Sequence, residues 1–382
     1  MKFKLLATSL AVSLALTGCA TQQSENTQAA QQQQTTKADE RVFSQEYLIE
    51  ELDNGLRVMV VKTDYPDVVS LQIPVSVGSR NEVKAGKTGF AHFFEHMMFK
   101  GSKKFPQEEY TAIFKSAGVD NRAYTTNDYT NYHLNFSKQH LDKVLEIEAD
   151  IFQNLTYTEE QFRTEALTVK GEYLKNNASP IRKLLSAVRE EAFDTHTYKH
   201  TTMGFFEDIE AMPDQMAYGK EFFDKFYKPE YVSLVIVGDV DPQATMAMVK
   251  KHWGGWEKGD YVADIKAEPK QQAPKYIHEK NEGLPGHWLL VSYKGAAWEP
   301  AKKDRAALDL ISQLYFSNNS DLYQELVVDK QIASQMFTYN PETKDPGLLH
   351  VFVKVENEDD LAKARDAINR TYARARTDLV DE

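Results

Sequence analysis

The stretch Gly89-Phe90-Ala91-His92-Phe93-Phe94-Glu95-His96-Met97-Met98-Phe99 sets two histidines four residues apart, with a glutamate just before the second. Residues i and i+4 share one face of an α-helix, so His92 and His96 point the same way and Glu95 lies beside them. Two imidazoles and a carboxylate converging among bulky apolar residues suit a zinc ion, and ordinary packing makes no such demand. A His-x-x-Glu-His run arises by chance in about one or two per hundred chains of this length. Backbone carbonyls can also satisfy two buried histidines, so the reading turns on a third ligand.

That ligand has to come from an element packed on the first helix. The pattern over 158–176 predicts a long helix opening on the capping box Thr158-Glu159-Glu160-Gln161. Glu165 and Glu172 lie two turns apart on one face of it, among Phe162, Leu167, Val169 and Leu174. A carboxylate among apolar side chains is costly to bury unless it is paired or bound to a metal. The plainer alternative places both in water, as expected for Glu159 and Glu160.

Working outward, 46–51 and 56–62 read as strands joined by a hairpin at Asp53-Asn54-Gly55, and 68–77 as a third strand. The zinc-type helix spans 88–99 and a second one 106–116. Strands follow around Ala123 and over 129–136, then helices at 138–155, 158–176 and 180–193. A helix at 212–226, a buried strand at 231–237 and a helix at 242–253 close the first unit. The segment 257–280 is rich in Lys, Glu, Pro, Gly and Gln and reads as a linker. Beyond it the order begins again, with a strand at 287–293, helices at 301–316 and 321–328, strands at 333–339 and 348–355, and a helix at 359–377. The fold class is therefore α+β: repeated α/β units, each an antiparallel-rich sheet packed on helices. The zinc-binding unit covers 42–256, and a second unit over 281–382 is expected to be incomplete.

The 382 residues, 42% of them apolar, suffice for two cores. A net charge of −12 argues against nucleic-acid binding, which needs clustered Lys and Arg. At the start, Lys2 and Lys4 precede an apolar run from Leu5 to Leu16, too short to span a bilayer and laid out as a signal peptide over 1–18. It ends in Leu16-Thr17-Gly18-Cys19, which resembles a bacterial lipoprotein box with Cys19 the lipidated residue. Cys19 is the single cysteine of the chain, so no disulfide and no cysteine metal site is expected. Residues 19–41, rich in Gln, Thr and Ala, read as a tether. These features imply an exported protein, lipid-anchored in the bacterial cell envelope on the periplasmic side, with the outer membrane favoured.

From about Phe43 the chain resembles the zinc metallopeptidases of the pitrilysin and insulinase family, the inverted zincins. The resemblance rests on His92-Phe93-Phe94-Glu95-His96, on Glu172 at a distance of 76 residues from His96 (172 − 96), and on Glu165 seven residues before Glu172. Phe99-Lys100-Gly101-Ser102, Ala123-Tyr124-Thr125 with Asp128 and Thr130, and Val235-Ile236-Val237-Gly238-Asp239-Val240 extend it over nearly the whole chain beyond the tether.

What the resemblance implies is a zinc endopeptidase acting on peptides or unfolded segments. His92, His96 and Glu172 would hold Zn²⁺. Glu95 would be the general base on the zinc-bound water, with Glu165 in a supporting catalytic role. Asn121 and Ala123 would bind substrate as an added strand. Two departures stand out. Arg122 occupies the place where the family usually has Asn, so that role needs a local shift to Asn121. Val327 and Ser334 occupy the positions of a substrate-binding Arg and Tyr. The chain is therefore expected to be the N-terminal half of a longer clamshell protease or to need a partner subunit. A non-catalytic, protein-binding lipoprotein that keeps the peptidase fold for assembly is the alternative.

Overall fold

The computed structural model describes residues 44–280 and 286–378. The expected signal peptide, Cys19 and the expected tether lie outside the described residues. Strands β1 (Tyr47–Glu51) and β2 (Arg57–Lys62) form the expected hairpin, with Gly55 at φ +86° in its turn. That left-handed conformation costs glycine nothing. Strand β3 (Val68–Val75) buries Val69, Leu71, Ile73 and Val75 on one face and leaves the alternate residues more open.

Helices α1 (Phe90–Met97) and α2 (Gln107–Ser116) come next, then strands β4 (Asp120–Thr125) and β5 (Thr130–Ser137). Helices α3 (Leu141–Asn154), α4 (Glu159–Asn177) and α5 (Pro180–Ala192) follow, and α4 opens on the predicted capping box at Thr158. The helix expected over 212–226 begins only at Met216, as α7 (Met216–Phe226), and a separate helix that was not expected, α6 (Phe206–Ala211), precedes it. Between them, Met212–Asp214 forms a 3₁₀ turn carrying Pro213, and Gln215 leaves helical geometry at φ −111°, ψ 29°. Proline fits the first turn of a helix, but nothing in its local pattern reveals that the chain restarts three residues later.

Strand β6 (Ser233–Gly238) and helix α8 (Pro242–Trp253) complete this unit. Its six strands run in the order β1-β2-β6-β3-β5-β4, with β2 and β6 parallel and the other pairs antiparallel. Strands β1 and β4 are its two edges.

The 257–280 segment carries no regular element, yet it is anchored. Glu268 accepts hydrogen bonds from the backbone N–H groups of Asp194, Thr195 and His196 at 2.8–3.0 Å. Strand β7 (His287–Lys294) and helix α9 (Asp304–Phe316) then lead to α10 (Asp321–Tyr323), which widens into a π-helical turn over Gln324–Asp329. Strands β8 (Ala333–Tyr339) and β9 (Leu348–Val355) and helix α11 (Asp360–Ala375) end the described fold.

The order β7-β9-β8, all antiparallel, reproduces β3-β5-β4 of the first sheet, and in both units two helices connect the first strand to the hairpin. The repeat read in the sequence is thus a repeat of one β-α-α-β-β module. In it α9 takes the place of α1. Its sequence, DRAALDLISQLYF, has no histidine, so the chemistry of α1 is not duplicated.

Candidate metal centre

The apolar residues of helix α1 pack it against α4 and α7, leaving the side that carries Glu95 and His96 partly open. Phe93 meets Phe162 of α4 at 4.7 Å between ring centroids, and Phe94 stacks on Phe222 of α7 at 5.3 Å. Phe90 meets Tyr218 edge-on at 4.7 Å. Burying three phenylalanines stabilises this packing by roughly 1.5–3 kcal/mol each.

The helix entry is equally constrained. Gly89 sits at φ +86°, and a Cβ there would come within 2.4 Å of Ile209 Cδ1. The buried Glu82 carboxylate accepts from the N–H groups of Gly89 (2.8 Å) and Ala91 (2.7 Å), filling donors that the first turn leaves without partners. Burial pushes the Glu82 carboxyl up to about 8, against the pull of those backbone donors. No local capping pattern announces Glu82, because it reaches the helix from seven residues upstream.

The contact between α1 and α4 brings the predicted ligands together. His92 Nε2 and His96 Nε2 lie 3.3 Å apart, and Glu172 Oε2 is 3.6 Å from each. One donor atom from each of the three residues falls within a 4.8 Å cluster, the single such group of three among the described residues. The Glu172 side chain is 40% exposed, so the cluster is open to solvent on that side.

Burial, together with the neighbouring His96, lowers His92 to about 4, so its imidazole is neutral and free to donate a lone pair. His92 Nδ1 is buried without a hydrogen-bond partner. His96 differs. Burial disfavours its charged form, but the Glu165 carboxylate at Nδ1 (2.8 Å) outweighs that and raises its pKa.

Glu165 in turn is held down to about 2 by His96, with Lys100 Nζ at 2.6 Å from its other oxygen adding to the effect against burial. A carboxylate on the far nitrogen of a metal-binding imidazole fixes its tautomer and orientation. Changing Glu165 to Gln is therefore expected to weaken zinc affinity about 10–100-fold, read by competition with a chromophoric chelator. Unchanged affinity would show that Glu165 does not orient His96.

Glu95 points elsewhere. Its Oε2 accepts from the Thr125 hydroxyl at 2.6 Å, at the end of edge strand β4. Burial raises its pKa, opposed by that hydrogen bond and by His96. The role of Thr125 was not legible in the sequence, and neither was the Lys100–Glu165 pair, although both residues belong to quoted motifs.

Asn121 and Ala123 are half-buried on the same face of β4 as Thr125. The β4–β5 register runs without a break from Asp120↔Asn135 to Thr125↔Thr130, which sets Asn121 opposite Leu134 and Ala123 opposite Tyr132. Arg122 lies on the opposite, exposed face and pairs with Asp120 at 3.0 Å. Val327 is half-buried in the second unit's core, and Ser334 is exposed on β8, its hydroxyl 3.4 Å from the Lys354 carbonyl.

Two imidazole nitrogens and a carboxylate oxygen form a donor set matched to a divalent cation of zinc's type. Glu95, Glu165 and Glu172 all act on His96, raising its pKa, so carboxylates outnumber the one lysine, Lys100, that pairs with this group. The residues fit a zinc ion.

The model of the insulinase family (peptidase family M16) matches residues 57–204, and that of the peptidase M16 inactive domain matches residues 220–382. The zinc protease PqqE of Helicobacter pylori is 32% identical over 319 residues, which are 82% of this chain and 70% of that protein. A crystal structure of a protease from Helicobacter pylori superposes with a TM-score of 0.80 at 29% identity, covering 88% of this chain and 82% of that one. The first half of the periplasmic protease PqqL of Escherichia coli has the same fold at a TM-score of 0.65 and 22% identity, over 86% of this chain and 72% of that one. The chain belongs to the insulinase family, peptidase family M16.

Proposed function

We propose that this protein is a zinc-dependent endopeptidase acting on peptides or unfolded segments. The observation that carries the reading is the convergence of His92, His96 and Glu172 from two helices beside a fourth group, Glu95, that is committed to none of them. Zinc, when bound by the three, supplies a Lewis acid that polarises a carbonyl and acidifies water.

The remaining work falls to the chain's own side chains. Thr125 donates to one oxygen of Glu95, which leaves the other to accept a proton and return it to the departing amine. Glu165 holds the ring of His96 by its Nδ1. The outer edge of β4, paired on its other side with β5, offers backbone groups to an extended peptide, with Asn121 and Ala123 in that strand.

Because Val327 and Ser334 cannot donate as an Arg and a Tyr would, substrate clamping is assigned to a further segment of a longer protein or to a partner subunit. The Escherichia coli neighbour, whose first half was crystallised, supports a two-half arrangement. Export with a lipid anchor on Cys19 remains part of the proposal and places the substrates outside the cytoplasm.

The test is metal-dependent cleavage by the full-length protein with its completing segment or subunit. Chelation is expected to abolish cleavage of an unstructured peptide, and stoichiometric Zn²⁺ to restore it. Equal cleavage by the metal-free protein would overturn the reading. Metal binding without any cleavage would leave the assembly role as the better account.

A further inference from the structure

The second unit touches the first at a point that bears on Glu95. Asp345, in the loop between β8 and β9, places its carboxylate 2.5 Å from Arg80 Nε and 2.9 Å from His196 Nε2. This fixes two backbone N–H groups of the same loop. Lys344 N–H donates to Asp128 Oδ2 at 2.9 Å, and Asp345 N–H donates to the Tyr198 hydroxyl at 3.2 Å. The Tyr198 hydroxyl itself donates to Asp128 Oδ1 at 2.6 Å. The Tyr198 and His196 side chains are buried, and Tyr198 packs with Phe193 and Leu348, so the polar seam between the units is backed by apolar packing on one side while Asp345 stays partly open to solvent.

Asp128 lies in the turn joining β4 to β5. Thr126 N–H donates to the Tyr129 carbonyl, and the Thr126 hydroxyl accepts from Asp128 N–H. From the other side, Ser79 N–H and Arg80 N–H donate to the carbonyls of Thr126 and Asn127. The turn is therefore gripped between the 78–81 loop of its own unit and the 344–345 loop of the second. Three residues before Asp128 stands Thr125, whose hydroxyl holds Glu95.

We propose that Asp345 is a positioning residue for the reaction: the second unit, which contributes none of the three candidate ligands His92, His96 and Glu172, sets the pose of Thr125 and hence of Glu95. The inference rests on the peptidase reading above. Asp345 touches neither ligand nor substrate and acts through the loop it anchors. The path from Asp345 to Glu95 runs through Asp128, the β4–β5 turn and Thr125, and bypasses His92, His96 and Glu172. Its loss is therefore expected in turnover and not in metal affinity. A misplacement of the base on the order of 1 Å costs up to about a hundredfold.

The experiment is a double-mutant cycle in the full-length protein with its completing segment or subunit. The variants are Asp345→Asn, Thr125→Val and the pair, with Asp128→Asn as a second break in the same path should Asp345→Asn fold poorly. Asp345→Asn is expected to keep zinc, leave KM within about twofold and lower kcat about tenfold or more. The pair should be no slower than Thr125→Val alone, because both act through one contact.

Amide exchange in the zinc-free protein is the second arm, and Asp345→Asn should speed exchange over residues 120–130 while leaving α1 unchanged. Additive losses in kcat, or an unchanged kcat with unchanged exchange, overturn the inference. A seam that merely holds the units together would lower stability without a kcat-specific, non-additive loss. Absence of cleavage by the unmodified protein would sink the peptidase reading, and the exchange arm would still decide whether Asp345 holds the strand.

Discussion

Replacing Glu95 by glutamine is expected to leave one zinc per chain in place and to lower kcat by about 10²–10⁴-fold, with KM nearly unchanged. That range is roughly 3–5 kcal/mol of transition-state stabilisation, the usual contribution of a positioned general base. Glu95 is the one carboxylate near the centre whose hydrogen bond runs to Thr125 and not to a histidine. The amide of glutamine keeps an oxygen able to accept from Thr125, so strand β4 and helix α1 should hold their places.

What the substitution removes is the capacity to take and return a proton. Because Glu95 is absent from the cluster of three donor atoms, zinc content should not follow the rate. The measurement is metal analysis alongside steady-state kinetics on an unstructured peptide. Turnover at the unmodified rate would remove Glu95 from the mechanism. Parallel loss of zinc would mean that it acts through the metal.

How much of this was legible in the chain follows from where each contact is made. The α1 motif and the β1–β2 hairpin are local: a four-residue spacing and an Asn-Gly pair carry their own geometry, and both appear as read. Glu172 came from a spacing of 76 residues that only the family resemblance could interpret. Periodicity alone left it undecided between metal and water.

What stayed hidden is non-local. Glu82 caps α1 through a loop, Lys100 meets Glu165 across two helices, and Asp345 reaches His196 at a separation of 149 residues. No side-chain pattern within one element encodes such pairings. The break at Gln215 escaped for the opposite reason. The flanking residues are good enough helix formers that their local preference overrode the restart. The repeat was legible as an order of elements, but the matching strand order of β3-β5-β4 and β7-β9-β8, which places α9 where α1 sits, needed the pairing itself.

Glu172→Gln should have the largest effect on the metal and almost none on the fold. Glu172 lies on the open side of α4 with a side chain 40% exposed, and its other oxygen has one long contact, to Asn176 Nδ2 at 3.4 Å. A surface substitution of that kind usually changes stability by no more than about 0.5 kcal/mol, so the metal-free variant should unfold as the metal-free parent does. Zinc binding is another matter. Losing an outer partner such as Glu165 costs about 10–100-fold in affinity, and losing a ligand directly, with its negative charge, should cost more than that.

The two expectations meet in one melting experiment. A ligand that binds only the folded state stabilises it by about 2.7 kcal/mol when present at a hundred times its Kd. Added zinc should therefore raise the parent's Tm and leave that of Glu172→Gln unmoved at the same concentration. Glu165→Gln should fall between them, because His92, His96 and Glu172 would all remain. An equal zinc-induced rise in the parent and in Glu172→Gln would place the metal elsewhere. The convergence of α1 and α4 on one point would then be packing and not chemistry.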